Sequence, residues 1–168
     1  YEKIKTLSEE YRDLLIEEYL GGNGIEYSAG IIEDEVNSYD LPIIEKNHGQ
    51  KFFSNARKYS ISNHPEYLIP ANISASQTEI MQNMARKVHE MMGCSGLSRI
   101  DTIIHEEKIY LIEINTLPGF LTMSIFPKQC KARGFSYEEI VVMLLKNAFK
   151  PRPMVIVKLK NNLPIPPS

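Results

Sequence analysis

The chain lacks the features that mark secreted, membrane-spanning and metal-cysteine proteins. It has only two cysteines, Cys94 and Cys130, and they lie too far apart in sequence to form a metal-type pair. No apolar run approaches the ~18 residues that a helix needs to cross a bilayer. Neither a signal peptide nor a disulfide framework is visible. The sequence therefore predicts a soluble, cytoplasmic protein with reduced thiols and no membrane partner.

A strong charge of either sign is also missing. The 19 Lys and Arg residues nearly balance the 21 Asp and Glu residues, which gives a net charge of −2. This balance argues against a nucleic-acid partner, because such binders usually carry a basic surface. The histidines make no ligand cluster in sequence and predict surface or packing roles; they are His48, His64, His89 and His105.

What is present fits a globular domain. The 168 residues are 43% hydrophobic and 24% charged, enough to bury a core within one domain. The chain starts at Tyr1, without a methionine, and runs straight into a helix-like segment. This start is expected of a fragment or of a processed form of a longer protein, with sequence missing before it.

Short apolar or alternating segments between turn residues predict several strands. The predicted strands are Leu14–Leu20, Glu26–Ile32, Leu41–Glu45, Leu97–Ile104 and Ile109–Asn115. Residues 46–65 are polar and irregular and predict a long loop, a length that often accompanies function. Met154–Lys160 predicts one more strand, and the proline-rich residues 163–168 predict a loose tail.

Two capping-box patterns predict helices. The first box, Ser76–Glu79, precedes a methionine-rich stripe at helical spacing, and Gly93 is the predicted end of that helix. Such a stripe could form a binding groove, but core packing is the usual role of methionine. The second box, Ser136–Glu139, opens a helix to about Lys150, where the prolines that follow stop it.

The last two predicted strands form a hairpin with polar side chains at matching positions. Asp101 lies in the first strand, and Glu113 and Asn115 lie two residues apart in the second, so they share a face. A three-residue loop, Glu106–Lys108, would place Asp101 opposite Glu113. The expectation depends on this loop length, because a slip of one residue moves side chains to the other face.

In that register, two carboxylates and one amide meet on one face beside Arg99. Oxygen ligands of this kind suit magnesium, which takes one or two protein carboxylates together with waters and substrate phosphates. Glu113 could bridge two ions, and Arg99 could meet phosphate oxygens that the metal leaves uncovered. The alternative is a surface hairpin with an ordinary cross-strand ion pair.

The loop that follows the hairpin strengthens the anion-site interpretation. Pro118 and Gly119 direct a tight turn just beyond the acids, and the glycine lets backbone N–H groups approach an anion closely. Ser124 could add a hydroxyl donor. The alternative is an ordinary type II turn, which Pro-Gly produces in many proteins.

Two sequence blocks, Gly93–Asp101 and Tyr110–Gly119, closely resemble the D-alanine–D-alanine ligase family of ATP-grasp enzymes. Shorter matches, Ile69–Ala71, Pro127–Lys128 and Gly134–Tyr137, extend the likeness to about residues 10–150. The resemblance implies an α+β fold: the C-terminal portion of an ATP-grasp domain, a mostly antiparallel sheet flanked by helices. It assigns residues 1–150 to the ATP-grasp part, whereas residues 151–168, with the extra strand and tail predicted above, have no counterpart in the family.

The same resemblance assigns roles near the hairpin. The resemblance implies that Asp101, Glu113 and Asn115 hold two magnesium ions, which manganese could replace. Arg99 would help to stabilise the phosphorylated intermediate. Gly119 and Ser124 would belong to the loop that receives the second D-alanine.

The resemblance also implies a nucleotide site. Glu17 would accept a hydrogen bond from the adenine amino group, and Glu26 would bind the ribose hydroxyls. In the family's mobile loop, Lys58 would reach the ATP phosphates and Tyr59 would shape the second substrate site. The backbone of three hinge residues would contact the edge of the adenine ring: Glu18, Tyr19 and Leu20.

The implied function is an ATP-dependent ligation of two D-alanines through an acyl phosphate, for cell-wall peptidoglycan. The family's first half, which binds the first D-alanine, is absent, so the isolated chain is expected to be inactive and the full-length protein a homodimer. The Ser54–Asn55 stretch, the turn at Gly21–Ile25 and residues 154–168 depart from the family pattern. Two alternatives therefore remain: a ligase for other amino acids, and a nucleotide-binding module without catalysis.

Overall fold

A computed structural model describes residues 2–20, 25–47 and 66–150. The described helices are α1 (Glu2–Glu10), α2 (Ala75–Met91), α3 (Ile125–Arg133) and α4 (Tyr137–Ala148). The described strands are β1 (Ile25–Glu33), β2 (Ser38–Asp40), β3 (Ile44–Asn47), β4 (Glu66–Leu68), β5 (Leu97–His105) and β6 (Lys108–Asn115). None of the helices in these ranges is long and apolar enough to span a membrane.

The six described strands form one antiparallel sheet in the order β4-β3-β1-β5-β6, and β2 pairs with the far end of β1. β1 is the central strand, and six of its nine residues in succession are buried. A strand covered on both faces is expected to show such continuous burial. The predicted fold, a mostly antiparallel sheet flanked by helices, is confirmed.

The sheet separates two apolar cores. On one face, Tyr27, Ala29 and Ile31 of β1 pack with Met81 and Ala85 of α2. The residues between them in β1 face the other way. The second core combines strand residues with those of α3 and α4: Ile32, Leu41, Leu97, Phe126, Cys130 and Ile140. Burial in this core raises the pKa of the Cys130 thiol to about 12.

Helix α2 begins at a different cap from the predicted one. Ser74, in extended backbone, forms the capping box with Gln77, so the prediction of a box at Ser76–Glu79 is wrong. Both patterns lie in the sequence, and only the backbone ahead of the helix selects between them. At the other end, Gly93 takes a φ of 63° and closes the helix, as predicted.

The methionine-rich stripe of α2 is only partly a core. Met81 is fully buried, and Met84 and Val88 pack against the first core. Met91 and Met92, near the C-terminal end of the helix, are 75% and 59% exposed. The core interpretation is confirmed for the middle of the stripe alone.

Two predicted strands are not where the sequence pattern put them. Residues 11–20, all described, form no strand and are almost entirely exposed, so the Leu14–Leu20 prediction is wrong. An apolar run lacks a strand when no sheet edge pairs with it. The predicted strand Leu41–Glu45 is split: β2 ends at Asp40 and β3 begins at Ile44. Pro42, without an N–H, lies between them.

Helix α3 was not predicted from the sequence. Pro127 conceals it, but this proline lies in the first turn, where a missing N–H costs nothing. Gly134 ends the helix in left-handed conformation with a φ of 105°. Helix α4 begins at the predicted Ser136–Glu139 box and ends at Ala148, two residues before the predicted end.

The β5–β6 hairpin reaches the predicted register by a different route. Its loop contains two residues, Glu106 and Glu107, instead of three, because His105 pairs with Lys108. That change alone would misalign the acids by one residue. A β-bulge between Asp101 and Thr102 restores the alignment, and Asp101 does pair with Glu113.

Substitutions in the turn of this hairpin are expected to stabilise the fold. Glu106 and Glu107 have φ values of 48° and 63°, a left-handed backbone that side chains with a Cβ disfavour. We expect the double substitution Glu106→Asn and Glu107→Gly to stabilise the fold by about 1–2 kcal/mol, because Asn-Gly suits this turn. Urea unfolding would measure it. The control is Glu106→Gln with Glu107→Gln, which removes the charges alone; equal midpoints for the two variants would contradict the prediction.

Several predictions lie outside the described residues. They are the final strand and tail over residues 154–168 and most of the long loop predicted over residues 46–65, from residue 48 onward. The first two residues of that predicted loop, Lys46 and Asn47, belong to β3, so its predicted start is wrong. Lys58 and Tyr59 belong to that loop. They remain predictions.

Candidate functional site

The polar residues of the predicted site lie on the face of the sheet that also carries α3. Four adjacent strands contribute, in the order β3, β1, β5 and β6. Lys46 of β3 pairs in register with Glu26 of β1, and Ser28 of β1 pairs with Asp101 of β5. Paired residues of neighbouring strands project to the same face, which forms a continuous polar row across the sheet.

Asp101 is the centre of this row. Asp101 is buried, with 6% of its surface exposed to solvent. The hydroxyl of Ser28 donates to Oδ1 at 2.6 Å, and Arg99 donates from Nε to Oδ1 at 2.9 Å and from Nη2 to Oδ2 at 2.8 Å. Lys46 Nζ lies 3.3 Å from Oδ2. Both carboxylate oxygens therefore have charged or hydroxyl partners, as a buried charge requires.

These partners keep Asp101 ionised. Burial alone would raise its pKa, but the charges of Lys46 and Arg99 and the hydrogen bonds from Arg99 and Ser28 hold the pKa below its usual value. The result is a buried carboxylate whose charged form is stabilised by its neighbours. Such a group can bind a hard cation without first losing a proton.

Glu113 and Asn115 extend the row onto β6. Asp101 is the register partner of Glu113, and Arg99 is the partner of Asn115. Asn115 Nδ2 donates to Glu113 Oε1 at 3.0 Å, and Glu113 is exposed. The structure thus brings together all four polar residues that the sequence analysis placed in the hairpin.

The loop residues Gly119 and Ser124 also lie together. A Cβ on Gly119 would come within 3.1 Å of Ser124 Oγ. Ser124 is the N-cap of α3, yet its hydroxyl forms no capping hydrogen bond within the described structure. The loop is fixed by the burial of Pro118 and by Tyr137, whose hydroxyl donates to the carbonyl of Phe120 at 2.9 Å.

Helix α3 packs on the sheet beside the polar row and donates hydrogen bonds to its backbone. Gln129 is fully buried, and its Nε2 donates to the carbonyls of Ser28 at 3.0 Å and Pro42 at 2.9 Å. A second residue of α3, Lys128, places its Nζ 4.5 Å from the ring centroid of Tyr67 on β4. Burial, opposed in part by the charge of Arg99, raises the pKa of the Tyr67 phenol. The tyrosine therefore lies near the same charged groups.

The predicted adenine hinge, residues 17–20, lies in no helix or strand that would position it beside the polar row. Glu17, Glu18 and Tyr19 are exposed and Leu20 is half-buried, in a segment without strand structure. Glu26, predicted to bind ribose, does lie in the row beside Lys46. The roles of the hinge residues and of Lys58 and Tyr59 stay predictions.

The oxygen ligands of the hairpin suit magnesium, which takes part of its ligands from water and phosphate, better than they suit a metal whose ligands all come from protein side chains. Within the three described ranges, no group of three or more His, Cys, Asp or Glu side chains is placed to hold a metal ion. The hairpin offers two carboxylates and one amide, and magnesium commonly completes such a set with waters and phosphate oxygens. The fit therefore requires a phosphate-bearing ligand.

Two residues of the row, Ser28 and Lys46, were missed by sequence reasoning. Lys46 is 5% exposed and joins Glu26 and Asp101, which belong to two other strands. The sequence analysis placed Lys46 at the start of the predicted loop 46–65, where a lysine is expected to be solvated. The signal that could have found it is its register opposite Glu26, which depends on the true bounds of β3.

The chain is similar to known proteins over most of its length. A profile described as D-ala D-ala ligase C-terminus matches residues 1–146. A D-alanine–D-alanine ligase of Thermotoga sp. (strain RQ2) is 32% identical over 139 residues, which are 83% of this chain. The chain belongs to the D-alanine–D-alanine ligase C-terminal family. It spans 45% of the length of the Thermotoga relative.

Solved structures of this ligase family share the fold. The D-alanyl-alanine synthetase A of Vibrio cholerae O1 is 30% identical, with a TM-score of 0.63 over 74% of this chain and 38% of that one. The VanG D-Ala:D-Ser ligase of Enterococcus faecalis is 28% identical, with a TM-score of 0.58 over 73% of this chain and 36% of that one. The α+β sheet described here is thus the C-terminal part of the ATP-grasp fold, as the motifs predicted.

Proposed function

We propose that the protein containing this chain is an ATP-dependent ligase that joins two D-alanines through an acyl phosphate. The observation that carries the proposal is the pairing of Asp101 with Glu113 beside Arg99 on one face of the sheet. Carboxylates placed together with a guanidinium suit a metal-bound polyphosphate. Membership of the ligase family supports the choice of substrates.

The proposed magnesium ligands are Asp101, Glu113 and Asn115, and manganese would serve in the same place. When bound, the metal supplies charge neutralisation for the phosphates of ATP. Glu26 is the proposed ribose acid, and Lys58 is the proposed phosphate lysine of the mobile loop. The proposed adenine contacts are Glu17 and the backbone of Glu18, Tyr19 and Leu20.

The described residues have separate tasks in the proposed reaction. Asp101 remains an anion and orients Arg99, whose guanidinium carries positive charge towards the transferred phosphoryl group. The amine of the second amino acid then attacks the acyl carbon, phosphate leaves as the peptide bond forms, and the amine proton passes to solvent. The tetrahedral oxyanion formed on the way needs donors. Arg99 and the N–H of Gly119 supply them, and Ser124, next to Gly119, helps to bind the second amino acid.

The wider context of the proposal follows the same family. The product would be a dipeptide precursor of peptidoglycan, made in the cytoplasm by a homodimer. By the family resemblance, the first D-alanine would bind to the part of the ligase relatives that this chain, at 45% of the length of the Thermotoga ligase, does not span. Tyr59 would complete the second substrate site from the mobile loop.

A second candidate is a ligase that takes another amino acid in the second position. The specific observation in its favour is the likeness to the VanG ligase, which is named for D-Ala and D-Ser. Both candidates share the phosphoryl chemistry and differ only in the attacking amine. The loop around Gly119 and Ser124 is therefore where they are expected to differ.

A substrate panel on the complete gene product tests the proposal. We expect ATP-dependent phosphate release with D-alanine, and mass spectrometry should identify D-alanyl-D-alanine among the products. A mixture of D-alanine and D-serine distinguishes the second candidate, which would yield the mixed dipeptide in excess. If the protein released no phosphate with either D-alanine or D-serine, the ligase function would be rejected, although the family membership would still stand.

A further inference from the structure

Lys46 is the one buried lysine that the described residues place in the polar row. Its Nζ lies 3.0 Å from Glu26 Oε2 and 3.3 Å from Asp101 Oδ2. Glu26 belongs to β1 and Asp101 to β5, so the side chain extends from β3 across two neighbouring strands. β3 lies inside the sheet, between β4 and β1, and a lysine on a strand more commonly turns its ammonium to water. This one is directed inward, to the middle of the row.

The position of the ammonium matters because of what its two partners are proposed to bind. Glu26 is the proposed ribose acid, and Asp101 is a proposed metal ligand. One nitrogen within reach of both carboxylates lies between the nucleoside end and the metal end of the site. The chain of phosphates in ATP must cover that same interval.

The donor capacity of Lys46 permits a further contact. An ammonium has three N–H donors, and the two carboxylates engage two of them. The third has no partner among the described residues. Among the described residues the row has two cations, Lys46 and Arg99, against the carboxylates of Glu26, Asp101 and Glu113, so a polyphosphate bound there would draw on both cations.

We propose that Lys46 is a phosphate-binding residue of the nucleotide site, whose ammonium lies between Glu26 and Asp101 and binds the phosphates of ATP. This inference rests on the proposed ATP-dependent function. It adds a cation from the sheet to the one proposed in the mobile loop, Lys58. The competing role for Lys46 is structural, as an internal tie between Glu26 and Asp101.

A series of nucleotides separates the two roles. Titration calorimetry of the complete gene product would measure the affinity for adenosine, ADP and ATP, each with magnesium chloride. We expect Lys46→Met to weaken ADP and ATP by about 10- to 100-fold, the usual effect of a charge-assisted hydrogen bond. Adenosine, which has no phosphate, should change by less than about threefold.

Matched variants control for charge and for stability. Lys46→Arg keeps the cation and should restore the affinity for ATP to within about fivefold of the wild type. Lys146→Met removes a lysine that pairs with Glu35 at 3.5 Å on the surface, and it should leave all three affinities unchanged. If Lys46→Met does not fold, Lys46→Gln, which still donates one hydrogen bond, replaces it in the same series.

Three results would overturn the inference. Equal weakening of adenosine and ATP would show that Lys46 acts only by holding Glu26. If Lys46→Met bound ATP with unchanged affinity, the role of Lys46 would be structural, as a partner in ion pairs. If the variant bound ATP more tightly, Lys46 would be a competitor of magnesium for Asp101. If wild-type protein binds none of the three nucleotides, the proposed function itself fails, and the role of Lys46 fails with it.

Discussion

Asp101→Asn is expected to reduce ATP-dependent phosphate release by about a thousandfold, which is the loss of several kcal/mol of charge stabilisation. Asparagine matches aspartate in shape, so the variant removes the charge and little else. Asp101 takes hydrogen bonds from Ser28 and Arg99 and an ion pair from Lys46, and the charge is what all three contacts share. The measurement is a coupled phosphate assay on the complete gene product at saturating magnesium.

The loss of this charge also affects the fold, which the experiment must separate from catalysis. Arg99 and Lys46 are both largely buried, and a buried ion pair that loses one partner typically costs about 3–5 kcal/mol. Thermal unfolding would report this cost. Glu113→Gln removes the opposite acid, which is exposed, so its cost in stability should be small while its loss of activity should be similar.

A third variant completes this set. Asp40→Asn makes the same chemical change at an acid that pairs with Arg86 of α2, on the other side of the sheet from the polar row. It should retain near wild-type activity. If Asp101→Asn and Glu113→Gln both retained full activity in folded protein, the assignment of the metal site would be rejected.

The hairpin shows how far the sequence could specify the site. Alternation placed Glu113 and Asn115 on one face, and this depends only on strand geometry. The pairing of Asp101 with Glu113 was predicted from a three-residue loop, but the structure has a two-residue turn and a bulge. The two differences cancel. Register is set by turn and bulge together, and a bulge leaves no pattern in a single sequence.

The other errors have a common physical origin. Ser74 and Ser76 each begin a plausible capping box, and Pro127 hides a helix that it in fact opens. In both cases local propensity allows two answers, and tertiary packing selects one. Lys46 was missed for the same reason, because its inward direction depends on contacts with two other strands. Local sequence therefore predicted the central strand and the hairpin strands, and it failed where a cap, a strand break or a partner depends on packing.

Gly30→Val is expected to destabilise the fold by about 3 kcal/mol, because it places atoms in space that is already filled. Even the single Cβ of an alanine at this position would lie 2.9 Å from Leu41 Cδ1, 3.1 Å from Gln129 Oε1 and 3.3 Å from Phe126 Cε2. Leu41 and Phe126 belong to the second core, and all three neighbours are fully buried. A chain of this size should lose roughly 10 °C in Tm.

The effect should extend from the core to the polar row. Gln129, one of the three crowded neighbours, holds the backbone of Ser28, and Ser28 in turn donates to Asp101. Gly30→Ala should therefore cost about 1–2 kcal/mol and Gly30→Val more, a graded series that follows added volume.

Gly93→Ala is the matched control, since its φ of 63° strains the backbone while nothing lies within 4 Å of the added Cβ. It should cost only about 1 kcal/mol, and both Gly30 variants should show a weaker affinity for magnesium-ATP that Gly93→Ala does not. A Gly30→Val protein as stable as the wild type would mean that α3 packs less closely on β1 than these distances require. The support of Asp101 through Gln129 and Ser28 would then have to be abandoned.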